Sequence, residues 1–239
     1  MQIIRYGSSN DIDVKFLDKH GFIKKKTMYT NFKLGQIKNP YDKTVFKVGY
    51  LGIGKYKARA NGNGMTEEYN CWRNMLERCY LDKRKDQHTS YFEISEVCKE
   101  WHNFQVFAEW WNQNKYEVNE RLHIDKDILY PGNKEYSPEK CMLVPQRINM
   151  LFVNKPNSYG LPNGIRKTST DKYTAEYNNK YLGTFNTLEK AYSIYAEEKE
   201  KVIKQIADEY KDRIPKKLYE ALYNYKCDIN NDKNYNPMN

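Results

Sequence analysis

The stretch LHIDKDILYPGNKEYSPEKCMLVPQRIN, residues 122–149, predicts two short strands, a break and a helix. The apolar segments LHIDKDIL and CMLVP have the length expected of paired strands. Pro131, Gly132 and Pro138 interrupt the pattern between them, as turn residues do. Pro145 favours the first position of a helix. The stretch therefore indicates a strand–strand–helix unit.

The ionisable residues of this stretch fall at alternate positions. On a β-strand, His123, Asp125 and Asp127 would project from one face, with Asn149 on the helix that follows. Such a set can hold one hard divalent cation through oxygen and leave the imidazole to deprotonate water. That chemistry suits phosphodiester hydrolysis. The alternative is that both aspartates lie on a solvated strand edge and His123 is an ordinary, partly exposed residue.

Two amphipathic helices are predicted upstream. The first begins at Thr66, an N-cap residue, and carries apolar residues with helical spacing at Trp72, Met75, Leu76, Cys79 and Tyr80. The second lies in VCKEWHNFQVFAEWW, residues 97–111, and a short strand is predicted between the two helices at residues 91–95. We interpret the aromatic stripes as core, because a stripe of that width requires burial.

The segment GIRKTSTDKYTAEYNNKYLGTFNTLEKAYSIYAEEKE, residues 164–200, predicts three strands and a helix from Thr187 to about Tyr210. Asn178 and Asn179 form the predicted hairpin turn. A short helix is expected after Pro215, and residues 230–239 are expected to be frayed.

Positive charge is concentrated at the N-terminus. Residues 1–60 contain 13 Lys and Arg against 4 Asp and Glu, whereas the rest of the chain is nearly balanced. Their short apolar stretches predict a basic β-rich module that could hold a polyanion, the alternative being a solubilising charge excess. Lys24, Lys25 and Lys26 either form a solvated loop or contribute phosphate contacts.

The 239 residues allow one or two domains, or small modules in series. We predict an α+β chain of three modules: residues 1–60, 61–155 and 156–239. The five cysteines are odd in number and include no C-x-x-C pair, which indicates a reducing compartment. An apolar run of ~18 residues and a signal peptide are both missing from the sequence, so we expect a cytosolic protein with no membrane partner.

The segment HIDKDILYPGNKEYSPEKCMLVPQRIN resembles the ββα-metal unit of HNH homing endonucleases, and residues 66–155 resemble phage-encoded members of that group. The resemblance implies that His123 is the general base, Asn149 a metal ligand and Asp125 or Asp127 the carboxylate partner. It implies one Mg²⁺ or Mn²⁺ ion. Cys141 stands where the family has the asparagine that orients the histidine.

Residues 164–210 resemble the Apetala-type, or ethylene-response-factor, DNA-binding domain, a three-stranded sheet on one helix that also occurs fused to HNH nucleases. The match is carried by YLGTF and the residues that follow it. The resemblance implies that the outer face of the sheet contacts double-stranded DNA. The corresponding residues on or beside the sheet are Arg166, Lys167, Lys172, Tyr173, Lys180 and Tyr181.

The expected function is a phage-type DNA endonuclease in the cytoplasm of a bacterial host, nicking as a monomer because one ββα site cuts one strand. A second possibility is a catalytically silent, nuclease-derived DNA-binding protein that acts as a regulator or as a phage-borne inhibitor of a host system. A third is a protein-binding inhibitor with the same fold, in which case a host protein is the partner.

Overall fold

The computed structural model describes residues 1–62, 64–81, 95–153, 157 and 159–235. It confirms the mixed α+β class. The strands are β1 (Gln2–Ser8), β2 (Asp11–Lys15), β3 (Ile23–Thr27), β4 (Glu96–Val97), β5 (Leu122–Asp125), β6 (Glu135–Tyr136), β7 (Met142–Pro145), β8 (Ile165–Lys167), β9 (Tyr173–Tyr177) and β10 (Lys180–Phe185). The α-helices are α1 (Tyr29–Lys33), α2 (Glu67–Tyr80), α3 (Phe104–Asn114), α4 (Gln146–Met150), α5 (Leu188–Tyr210) and α6 (Lys216–Tyr223).

The chain divides into two compact units. One contains residues 1–76 and 99–108, and the other contains residues 77–98 and 109–239. The three modules predicted from sequence would divide the chain at other positions, because helices α2 and α3 each contribute residues to both units.

The first unit contains an antiparallel sheet in the order β1-β2-β3. The alternation in β2 directs Ile12 and Val14 inward, where they form a buried cluster with Ile37. The second part of this unit is aromatic: the Trp72 indole donates to the backbone oxygen of Trp101 at 2.6 Å, and both side chains are fully buried. The β-rich N-terminal part and the core role of the aromatic stripe agree with the sequence prediction.

Helix α2 begins where its capping residue predicts. The backbone N–H of Tyr69 donates to the Thr66 hydroxyl at 3.3 Å, which satisfies one of the free donors of the first turn. The strand predicted at residues 91–95 lies, apart from Ser95, outside the described residues.

The second unit contains the predicted strand–strand–helix unit. Strands β5 and β7 are antiparallel, and α4 follows β7 directly. Val144 and Ile148 from this unit are buried in one cluster with Ile203 of α5 and Leu218 of α6. The hairpin therefore depends on the C-terminal helices for its core.

The same unit contains the predicted C-terminal sheet, antiparallel in the order β10-β9-β8. Its inner face buries Ile165 and Ala175 against Ala191 and Tyr195 of helix α5. The helix is capped by Thr187, whose hydroxyl accepts from the Lys190 backbone N–H at 3.2 Å. The first half of helix α5 thus packs against the sheet, and its second half packs against the hairpin.

The prediction that residues 230–239 are frayed is wrong for residues 230–235. Asn234 is only 5% exposed, and its side-chain oxygen accepts from the Asn157 backbone N–H at 3.0 Å. Asp232 likewise accepts from the Asn163 backbone N–H at 3.0 Å. These hydrogen-bond partners lie about 70 residues upstream, so the composition of the C-terminal segment alone cannot predict the contacts. Among the described helices, none has both the length and the apolar character needed to cross a membrane.

Candidate functional site

His123 lies on β5 opposite Val144 and is half-buried. Its Nε2 atom is buried and has no hydrogen-bond partner among the described residues. Burial lowers the pKa of the imidazole, and the positive charges of Arg121 and Arg78 lower it further. The ring is therefore neutral at pH 7, which is the form that can accept a proton.

Asp125 ends strand β5 and is almost completely buried. Its Oδ1 atom accepts from the backbone N–H groups of Asp127, at 2.9 Å, and Ile128, at 2.7 Å. This Asx-type turn terminates the strand. Burial raises the pKa of the Asp125 carboxyl to about 6, although both hydrogen bonds oppose that shift.

Asp127 lies beyond the strand, so the prediction that it continues the alternating face of His123 and Asp125 is wrong. The turn at Asp125 redirects the chain before residue 127. The Asp127 carboxylate instead lies 2.7 Å from the Lys126 ammonium and 3.8 Å from that of Lys233. The Lys126 side chain, only 4% exposed, also donates to the backbone oxygen of Asn133. Asp127 is therefore committed to ion pairs with lysines.

The oxygen atoms available to a cation are fewer than the sequence suggests. Within the described ranges, three or more His, Cys, Asp or Glu side chains nowhere cluster in a way that could hold a metal ion. The Asp125 Oδ2 atom and the half-buried Asn149 side chain accept no hydrogen bond from described residues. Mg²⁺ binds through one or two carboxylates, waters and substrate phosphate. Asp125 and Asn149 keep side-chain oxygens that such a site could use, whereas the Asp127 carboxylate is engaged by lysines.

Cys141 is buried immediately before β7, and its backbone N–H donates to the Ser137 oxygen at 3.0 Å. Burial raises the pKa of its thiol well above the ordinary value, so the group stays protonated at neutral pH. A buried thiol is a weak hydrogen-bonding group and a poor substitute for an amide oxygen.

The outer face of the C-terminal sheet can be read from its register. Arg166 pairs with Thr174, which pairs with Thr184, and Tyr181 pairs with Glu176. Directly paired residues share a face. On β8 and β9 these residues alternate with the inward-facing core residues, and on β10 a bulge between Tyr181 and Gly183 shifts the alternation. Arg166 has a side chain that is 76% exposed, and Tyr181 is 66% exposed. The residues predicted from sequence did not include Thr174, Glu176 and Thr184. Alternation from the core residues of β9 would have found Thr174 and Glu176, whereas the bulge between Tyr181 and Gly183 breaks the alternation that leads to Thr184.

Three of the predicted DNA contacts do not point from this outer face. Lys180 pairs across the hairpin with the inward-facing Tyr177, and its ammonium lies 2.7 Å from Glu198 on helix α5. Tyr173 packs against the inner cluster, and Lys167 forms an ion pair with Asp171. The same two-residue alternation that puts Arg166 on the outer face of the sheet keeps these three side chains off it. Lys172 is exposed in the β8–β9 turn.

In the first unit, Lys24, Lys25 and Lys26 are all exposed on β3. The neighbouring Arg5 is already engaged, because its guanidinium binds Asp11 at 2.5 Å and Asp13 at 2.8 Å. Of these four cationic residues, the three lysines are therefore better placed for phosphate.

Comparison with protein-family models, with curated proteins and with solved structures gave no match.

Proposed function

We propose that the chain is a metal-dependent DNA endonuclease of HNH type, acting in the cytoplasm of a bacterial host cell and nicking one strand of duplex DNA. The observation that carries the proposal is the His123 imidazole. It is neutral at pH 7, half-buried on the first strand of a strand–strand–helix unit, and its Nε2 atom has no hydrogen-bond partner among the described residues.

His123 would accept the proton of the attacking water at its Nδ1 atom, because its Nε2 atom is buried. Asp125 and Asn149 would hold the cation, Mg²⁺ or Mn²⁺, which when bound supplies positive charge that stabilises the phosphorane-like transition state. The exposed side chains of Arg78 and Arg121 contribute the positive charge that acts on the imidazole, and the same charge attracts a DNA phosphate.

Duplex DNA would be bound by the outer face of the C-terminal sheet. Arg166 and Tyr181 are the exposed residues of that face best suited to phosphates and bases, and Lys172 lies at its end. Lys24, Lys25 and Lys26 would add phosphate contacts from the first unit. Point charges of this kind give binding that weakens steeply with salt.

The test is the conversion of supercoiled plasmid to open circles in Mg²⁺, Mn²⁺ or EDTA. We expect metal-dependent nicking that is lost in His123→Ala and in Asp125→Asn, which keeps the Oδ1 acceptor of the turn. Asp127→Asn is the matched control and should still nick, because Asp127 binds lysines. Nicking that survives in His123→Ala would overturn the proposal.

A DNA-binding protein without cleavage, acting as a regulator or as an inhibitor of a host system, is the second candidate. The buried, protonated Cys141 thiol favours it, since the family resemblance puts an imidazole-orienting asparagine at this position. This candidate predicts that plasmid is retarded but uncut, equally in EDTA and in the His123→Ala variant.

A further inference from the structure

A cleft of about 490 Å³ opens beside the C-terminal sheet, away from the hairpin residues His123, Asp125 and Asn149. One wall comes from β8, β9 and the turn after β9, and the other comes from Asn157, Tyr159, Asn163 and Gly164. Its volume lies within the range of small-molecule sites. No residue proposed for catalysis lines it.

The walls of the cleft are fixed by hydrogen bonds. The Asn157 side chain donates to the Leu161 oxygen at 2.9 Å and accepts from the Tyr159 backbone N–H at 3.1 Å. The Asn163 backbone N–H and side chain are held by Asp232. Because these amide groups are hydrogen-bonded within the protein, they fix the shape of the cleft. Other groups must therefore recognise a ligand.

Two charged residues line the cleft, and their side chains are only loosely paired. The Arg166 guanidinium and the Glu176 carboxylate are 3.9 Å apart, beyond hydrogen-bonding distance, and their side chains are 76% and 39% exposed. A guanidinium only donates, and a carboxylate only accepts. A ligand that satisfies both must present an acceptor next to a donor.

Three tyrosines also line the cleft. Tyr177 and Tyr195 line the cleft from the side of the sheet core, with ring centroids 5.6 Å apart in an edge-to-face arrangement. Tyr159, at the rim, is 73% exposed and offers a free ring face. Exposed tyrosine rings stack on flat π-systems, nucleobases included.

We infer that the cleft binds an unpaired nucleobase, with guanine preferred. Guanine carries the acceptors O6 and N7 next to the donors N1–H and N2–H, which match the adjacent Arg166 and Glu176. In a duplex the donor edge is used for base pairing, so the base must be unpaired. It can belong to a DNA strand or to a free nucleotide. The inference goes beyond the proposed function, since it needs neither a metal nor the hairpin.

The experiment is a titration of the full-length protein with dGMP, dAMP, dCMP and TMP, followed by calorimetry. We expect dGMP to bind about tenfold more tightly than the other three. Tyr159→Ala should weaken the binding of every nucleotide by about tenfold, because the stacking contact is lost. Glu176→Gln should reduce the preference for dGMP to within about threefold. Tyr6→Ala removes a tyrosine of similar exposure, 60%, on β1 and should change nothing.

A second arm uses an oligonucleotide hairpin with one bulged guanine beside a fully paired control. Tighter binding of the bulged DNA than of both the fully paired control and dGMP assigns the base to DNA, whereas dGMP binding with no preference for bulged over paired DNA assigns it to a free nucleotide. Equal affinity for all four nucleotides, or binding unchanged in both Tyr159→Ala and Glu176→Gln variants that retain the wild-type circular dichroism, would overturn the inference. Plasmid nicking measured in the same variants tests the proposed function separately.

Discussion

The hairpin β5–β7 and the sheet β8–β10 both pack against helix α5, yet they place their charges differently. In the hairpin, Asp125 and Lys126 are 8% and 4% exposed. In the sheet, the side chain of Arg166 is 76% exposed and that of Lys180 is 62% exposed.

The contrast separates two kinds of polar function. A buried charge interacts strongly with its neighbours and shifts its pKa, so a single-atom change there has a large effect. An exposed charge is screened by water and salt, and it contributes in small, nearly independent steps. Single substitutions of charged residues are therefore expected to have larger effects in the hairpin than in the sheet.

The largest effect is expected from the core beneath the hairpin. Ile203→Ala removes a fully buried side chain of α5 from the cluster that contains Val144 and Ile148. We expect a loss of about 2–5 kcal/mol in the free energy of unfolding, measured by urea denaturation. Ile4→Ala, at a site that is 47% exposed, is the control and should cost less than about 1 kcal/mol. Equal losses would contradict the assignment of the core.

The next effect concerns the turn at Asp125. Asp125→Ala leaves the backbone N–H groups of Asp127 and Ile128 without their acceptor, and we expect roughly 2–4 kcal/mol of destabilisation at pH 7. Asp125→Asn keeps an acceptor oxygen and removes a buried charge, so it should stay within about 1 kcal/mol of wild type. The midpoints of urea denaturation of the two variants measure this difference in stability. If they coincide, the carboxylate does not organise the turn.

A pH series sharpens the comparison. The pKa of Asp125 is raised from an ordinary value of 3.8 to about 6, so between these values the folded protein binds a proton that the unfolded chain lacks. The stability from this group is fully present below about 3.8 and is lost as pH rises through about 6. Relative to Asp125→Asn, wild type should therefore gain at most about 3 kcal/mol as pH falls from 7 to 4. A difference that is flat with pH would contradict the burial of this carboxyl.

The smallest effect is expected on the sheet. Arg166→Ala should weaken duplex DNA binding by about tenfold at low salt and reduce the salt slope by about one unit. Lys180→Ala should change it less than about twofold, because that ammonium is paired with Glu198 on the helix side. Fluorescence anisotropy between 50 and 200 mM salt measures both variants. Loss of binding in Lys180→Ala alone would reverse the assignment of the faces.

Periodicity was sufficient to predict the longer elements, but not the short elements α1, β4 and β6. The inward residues of β9 and α5, among them Ala175, Ala191 and Tyr195, lie where the two- and 3.6-residue periods put them. The N-caps Thr66 and Thr187 marked the starts of their helices because capping is local.

The site was less predictable, since its details depend on long-range or competing contacts. Alternation put Asp127 beside His123, but the capping of residues 127 and 128 by Asp125 ended the strand first. Nothing in the sequence around Lys180 reveals that Glu198, eighteen residues away, would draw its ammonium to the helix side.

Helix α5 spans 23 residues, about 34 Å, and its two halves complete different cores. A chain cut in the segment between α4 and β8 would therefore leave the hairpin fragment with an uncovered apolar surface, because Ile203, Ile206 and Leu218 would be on the other fragment. The sheet and its helix therefore cannot be replaced as an independent folding unit. Recombination that grafts a new sheet onto this hairpin has to preserve the second half of the helix, so the sequence that follows residue 200 is constrained by the hairpin more than by the sheet.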